Sequence, residues 1–100
     1  MVRHIILWKL KDELSEEEKL AVKAGAKQGL ESLKGVVPGL LDITVHTNGL
    51  SSSNADMMLE SSFADEAALK GYAKHPAHVA VADTKVRPFT QTRACLDFEA

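Results

Sequence analysis

The stretch Val2–Leu10 sets the tightest limit on how this chain folds. It reads as a β-strand, in which successive side chains point to opposite faces. Val2, His4, Ile6, Trp8 and Leu10 share one face, and Arg3, Ile5, Leu7 and Lys9 share the other. The centre is apolar on both faces. Such a strand belongs inside a sheet, with cover on each side. A chain of 100 residues makes one domain. It must supply that cover itself or borrow it. His4 lies among Ile6 and Trp8 and is expected to be buried and hydrogen-bonded.

The remaining elements follow from caps and breakers. Ser15 followed by Glu18 is a capping box, and Glu16, Glu17 and Glu18 suit the positive end of a helix dipole. The helix is expected to run to about Lys34 or Gly35, burying Val22, Ala26, Leu30 and Leu33. Gly25 and Gly29 cost helix propensity, which suggests a close approach to the sheet. Pro38-Gly39 turns the chain into a second strand, Leu40–Thr47, with Leu41, Ile43 and Val45 facing the core. Asn48 to Ala55 is a polar loop. Asp56–Phe63 is a third strand, with Met57, Leu59, Ser61 and Phe63 on one face and Met58, Glu60 and Ser62 on the other. A short helix opens near Asp65, carries Leu69 and Tyr72, breaks at His75-Pro76 and resumes to Val86. Thr92–Phe98 closes the chain as a strand, with Arg93, Cys95 and Asp97 opposite Ala94, Leu96 and Phe98.

This order is β-α-β-β-α-β and predicts an α+β, ferredoxin-like subunit with a broken second helix. In that plan the first and third strands are central, and both helices lie on one face of the sheet. Nothing is left to cover the other face, where Ile5, Leu7 and Met58 fall. An apolar face of that size calls for a partner. The economical partner is a second copy related by a two-fold axis. The expectation is a homodimer whose sheets pack face to face.

Composition excludes several classes of function. A net charge of −2, with both signs interspersed, gives no electrostatic footprint for nucleic acid. No apolar run is long enough to span a membrane. The N-terminus passes directly into a strand, without the apolar core of a signal peptide. Cys95 is a lone cysteine and forms no internal disulfide, which fits a reducing cytoplasm.

Chemistry concentrates in Tyr72–Val79. Pro76 suits the first position of a helix, and the residue before a proline is pushed out of helical geometry, so His75 is the joint. His78 falls in the first turn of the new helix. The dipole there disfavours an imidazolium, so a neutral imidazole able to accept a proton is expected. No metal site is expected, because His75 and His78 share no helical face and no cysteine or carboxylate cluster at zinc spacing joins them.

Several stretches together carry a family resemblance. They are Val2-Arg-His-Ile-Ile-Leu-Trp-Lys-Leu-Lys-Asp12, Val37-Pro-Gly-Leu40, Ser62-Phe63 followed by Asp65, Leu69-Lys-Gly-Tyr-Ala-Lys-His-Pro-Ala-His-Val79, and Leu96-Asp-Phe98. In these the chain resembles the stress-responsive dimeric α/β-barrel (Dabb) domain from end to end. The resemblance implies a dimer that closes a barrel between two sheets, without fixing one activity. In the family's enzymatic branch, the plant polyketide cyclases similar to olivetolic acid cyclase, a pocket between helices and sheet performs aldol ring closure without metal or organic cofactor. That likeness implies His78 as general base, Tyr72 as its supporting hydroxyl and His4 as a further catalytic group. It also implies a substrate-binding wall of Ile6, Trp8, Met57, Leu59 and Val79, and a small organic ligand. This sequence departs from that branch at Met57, where the cyclase has a histidine. It departs again at Ala26 or Leu30, where the cyclase has a tyrosine.

Overall fold

The computed structural model describes residues 1–100. Strand β1, Val2–Leu10, lies inside a four-stranded antiparallel sheet, where its two apolar faces require it to be. Helix α1, Glu16–Glu31, follows, then strands β2, Leu40–His46, and β3, Met57–Phe63. Helix α2, Glu66–Lys74, and helix α3, Pro76–Val81, are separated by His75 alone. A π-helical turn, Ala82–Val86, and a 3-10 turn, Arg87–Phe89, lead into strand β4, Thr90–Glu99. The sheet order is β2-β3-β1-β4, so β1 and β3 are central as the ferredoxin-like plan demands. No helix is long and apolar enough to cross a membrane.

Local chemistry sets the helix ends. Ser15 Oγ accepts from the Glu18 N–H at 3.1 Å, and the Glu18 carboxylate accepts from the Ser15 N–H at 2.9 Å. The capping box is therefore complete. Asp65 caps α2, its carboxylate accepting from the Ala68 N–H at 2.8 Å. His75 has the extended backbone expected before proline, with ψ of 131°. Its Nδ1 also accepts from the Ala77 N–H at 3.1 Å and caps α3.

The core lies between the helices and the inner face of the sheet. It joins Ile6, Trp8 and Leu10 of β1 to Val22, Ala26 and Leu30 of α1, and to Leu59, Phe63 and Tyr72. Burying one large apolar side chain is worth about 1.5–3 kcal/mol, so this layer holds the helices on the sheet. Glu31 adds a polar tie at the end of α1. Its carboxylate accepts from Lys27 Nζ at 2.8 Å and from the Val45 N–H at 2.9 Å.

Four sequence expectations need correction. Helix α1 ends at Glu31 rather than at Lys34 or Gly35; the chain then tightens into turns closed by Leu33 N–H to Leu30 and Lys34 N–H to Glu31. Leu41 is exposed rather than core-facing, because the β2–β3 register shifts between Leu40 and Asp42. A bulge of this kind sends one residue to the other face, and Leu40 takes the buried place. Gly25 and Gly29 of α1 face the second helical segment of the same layer instead of the sheet: a Cβ on Gly29 would lie 2.8 Å from Val81 Cγ1, and one on Gly25 3.7 Å from Lys85 Cδ. Strand β4 starts at Thr90, two residues early, because Thr90 still pairs with Leu10 across an irregularity after Lys9.

The outer face of the sheet is open, as the element order implied. Ile5 pairs with Leu96, and Leu7 pairs with Ala94 and Met58, so these side chains share one surface. Leu7 is 42% exposed and Leu96 is 64% exposed. Around them Glu60 meets Arg3 at 3.6 Å and His46 at 3.0 Å.

Candidate functional site

The inner half of the sheet carries the site. Side chains that pair across antiparallel strands share a face. His4 pairs with Asp97, Ile6 with Cys95 and Trp8 with Arg93. The polar row of edge strand β4 is thereby laid beside His4. The carboxylate of Asp97 forms a short hydrogen bond with His4 Nδ1. Cys95 Sγ lies 3.8 Å from His4 Nδ1 and 3.5 Å from Asp97 Oδ1.

The broken helix supplies the opposite wall. Tyr72, near the end of α2, is 1% exposed. The His75-Pro76 joint redirects the chain so that His78 of α3 stacks on it. The two ring centroids are 4.1 Å apart with an interplanar angle of 34°. Phe63 packs against Tyr72 at 5.0 Å, and His4 meets it edge-on at 6.1 Å. Tyr72 Oη and His78 Nδ1 are both buried and have no hydrogen-bond partner within the chain.

Between these walls lies a cavity of about 720 Å³. Its apolar lining includes Val2, Ile6, Trp8, Leu30, Leu59 and Leu69. His4, Tyr72 and His78 all reach it, and Cys95, Asp97 and Arg93 complete the β4 side. Of the residues expected from sequence, His78, Tyr72, His4, Trp8, Ile6 and Leu59 come together here. Met57 and Val79 do not line the cavity. Met57 pairs with Trp8 and is 3% exposed within the core, and Val79, the neighbour of His78 on α3, is half-buried outside the lining.

Electrostatics sort these groups by role. Burial holds the His78 imidazole below its ordinary value of 6.5; the Ala73 carbonyl opposes this, and Arg87, His4 and Arg93 reinforce it. His78 is therefore neutral at pH 7. The helix N-terminus was the expected cause, and burial is the dominant one. Burial also pushes the Tyr72 phenol well above its usual 10, against a weaker pull from Arg93, so Tyr72 keeps its proton. Burial, and then Asp97, raise the Cys95 thiol.

Asp97, Cys95 and Arg93 escaped the sequence reading as site residues. The signal was present in the alternation of β4, which puts all three on one face. Only the β1–β4 register brings that face to His4. The donor atoms of His4, Cys95 and Asp97 lie within 4.8 Å of one another.

A four-stranded antiparallel sheet with helices on one face, in the order β-α-β-β-α-β and with a cavity between the layers, defines a ferredoxin-like α+β subunit. The chain matches the model of the Stress responsive A/B Barrel Domain, Dabb, over residues 2–100. It belongs to the Dabb family. It is similar to a dimeric protein of unknown function and ferredoxin-like fold from Bacteroides fragilis, with 34% identity, TM-score 0.93, and coverage of 99% of this chain and 95% of that one. A dimeric ferredoxin-like protein from Thermobifida fusca shares 23% identity with TM-score 0.79, covering 99% of this chain and 90% of that one. A Dabb-family protein from Mesorhizobium loti shares 22% identity with TM-score 0.75, covering 99% and 95% respectively. No curated protein matches the chain.

Proposed function

We propose that this Dabb-domain protein binds a small organic ligand in the helix–sheet cavity and works as a homodimer. The observation that carries the ligand reading is the pair of unpartnered atoms, Tyr72 Oη and His78 Nδ1, beside a cavity whose lining is apolar in its larger part. An unsatisfied buried polar group costs about 1–3 kcal/mol. A fold has no reason to keep two such groups side by side unless something else pairs with them. A mostly apolar cavity with a few converging polar groups is the usual form of a small-molecule site. The ligand class that fits has an apolar body and a carbonyl oxygen to accept from Tyr72.

The dimer reading rests on the open apolar face around Leu7 and Leu96, and on the relatives from Bacteroides fragilis and Thermobifida fusca being described as dimeric. Two sheets packed through this face make the dimeric α/β barrel. A reducing, cytoplasmic setting is supported by the free thiol of Cys95.

The neutral state of His78 favours a catalytic extension without a cofactor. His78 would take a proton from the carbon beside the ligand carbonyl, while the Tyr72 hydroxyl donates to the oxygen of the forming enolate. In an aldol closure the enolate carbon attacks a second carbonyl, and the imidazolium returns its proton to the resulting alkoxide. His4, held by Asp97, lines the same space.

A panel of aryl ketones and β-diketones tests both levels. Members that occupy the cavity raise the melting temperature of the wild type, by about 2.7 kcal/mol of stability at a hundred times Kd. The gain disappears in His78→Phe. In heavy water, the wild type also accelerates deuterium uptake beside the carbonyl, on the order of a hundredfold over His78→Phe. If no member stabilises the wild type, the ligand reading falls and a non-catalytic scaffold dimer describes the protein. If ligands bind and deuterium uptake is equal in both proteins, the catalytic extension alone falls.

A further inference from the structure

We propose that His4, Cys95 and Asp97 form a binding site for a divalent cation of the zinc class, set in the β1–β4 wall of the cavity. The inference goes beyond ligand binding at Tyr72 and His78 and does not depend on it.

The donors are one imidazole nitrogen, one thiol sulfur and one carboxylate oxygen. They come from adjacent strands in fixed register: Asp97 opposite His4, and Cys95 two residues away on the same face. Ligands mounted on strands are held more rigidly than ligands on loops. Zinc bonds of about 2.0–2.3 Å in a tetrahedron place neighbouring donor atoms roughly 3.3–3.8 Å apart. Cys95 Sγ already stands 3.8 Å from His4 Nδ1 and 3.5 Å from Asp97 Oδ1. One edge of the triangle, the short hydrogen bond between His4 and Asp97, has to open. That movement is cheap, because the Asp97 side chain is 43% exposed while His4 is locked in place at 8%.

The donor set selects the ion. Calcium and magnesium take oxygen ligands, whereas a thiolate with an imidazole favours zinc and its neighbours among the transition metals. Three protein ligands leave a fourth position open, which is the pattern of reactive rather than structural zinc sites. All three residues line the cavity, so that position faces the space where a ligand would lie. Binding would release the Cys95 thiol proton to solvent and place the imidazole proton on His4 Nε2, so that thiolate, the Nδ1 of a neutral imidazole and carboxylate face the metal.

Cobalt(II) is the probe, because a thiolate bound to it gives a charge-transfer absorption that oxygen and nitrogen ligands do not. The purified protein, kept reduced without added thiol, is titrated with cobalt and then with zinc. The expected result is one cobalt per subunit with the thiolate band, which zinc abolishes by displacement. Cys95→Ser loses the band, and both Cys95→Ser and Asp97→Asn weaken zinc binding by about tenfold or more. Cys95 and Asp97 are exposed, and circular dichroism checks that each variant is folded. A wild type that binds no cobalt at millimolar concentration, or binds it without the thiolate band, overturns the proposal. So does zinc affinity unchanged in Cys95→Ser.

Discussion

Replacing Tyr72 by phenylalanine should make the unliganded protein more stable. The tyrosine is 1% exposed, and its ring packs between His78 at 4.1 Å and Phe63 at 5.0 Å. Phenylalanine keeps those contacts. What it removes is an oxygen buried without a partner. Leaving such a group unsatisfied costs about 1–3 kcal/mol, so its removal returns an amount of that order. In a domain of this size each kcal/mol moves the melting temperature by about 4–8 °C. The variant should therefore melt at least about 4 °C above the wild type. Thermal unfolding by circular dichroism is the assay, at one fixed protein concentration because the proposed dimer makes melting concentration-dependent. A fall in melting temperature means that the hydroxyl is bonded and structural. An unchanged value means that solvent already satisfies it. Either result refutes the argument that the cavity holds polar groups in reserve for a ligand.

Three further outcomes follow from the structure. The folded pKa of His78 lies below its unfolded value, so the stability it contributes is present above about pH 6.5 and is lost as pH falls through the folded value; denaturant unfolding of His78→Phe between about pH 7.5 and pH 5 should be less pH-dependent than that of the wild type, and parallel profiles would contradict this. Gly29→Ala gains about 1 kcal/mol of helix propensity and pays about 1–3 kcal/mol for crowding Val81, so it should be destabilised, while adding Gly29→Ala to Val81→Ala should stabilise that variant by urea titration. Leu7→Glu puts a charge at the centre of the open sheet face and should yield monomers by light scattering, with an unaltered far-ultraviolet spectrum. A dimer of undiminished mass would show that the face is not the interface.

The parts of the fold legible in sequence were those written in short-range chemistry. The double-sided apolarity of Val2–Leu10 fixed a central strand, Ser15 and Glu18 fixed a helix start, and Pro76 fixed the break at His75. The bulge at Leu41 was hidden, because one inserted residue leaves the composition of β2 unchanged while reversing a side chain. The π-helical turn at Ala82–Val86 is five residues long, too short to show the period of its i→i+5 bonding in the sequence. The site divided along the same line. Tyr72 and His78 stand close in the chain and were found together. The His4–Asp97 pair spans nearly the whole sequence, and only strand register makes it visible. Linear spacing therefore missed the cysteine and carboxylate beside His4, and with them the one cluster of mixed metal donors.

The central claim is that the Tyr72–His78 wall receives a ligand. The direct measurement is nitrogen-15 NMR of the His78 imidazole, followed over pH with and without the ketone panel. The expected result is a His78 pKa below its ordinary value in the free protein, and a change in the His78 ring resonances when a panel member binds. An imidazole that titrates at or above its ordinary value, and whose resonances no panel member moves, would contradict it.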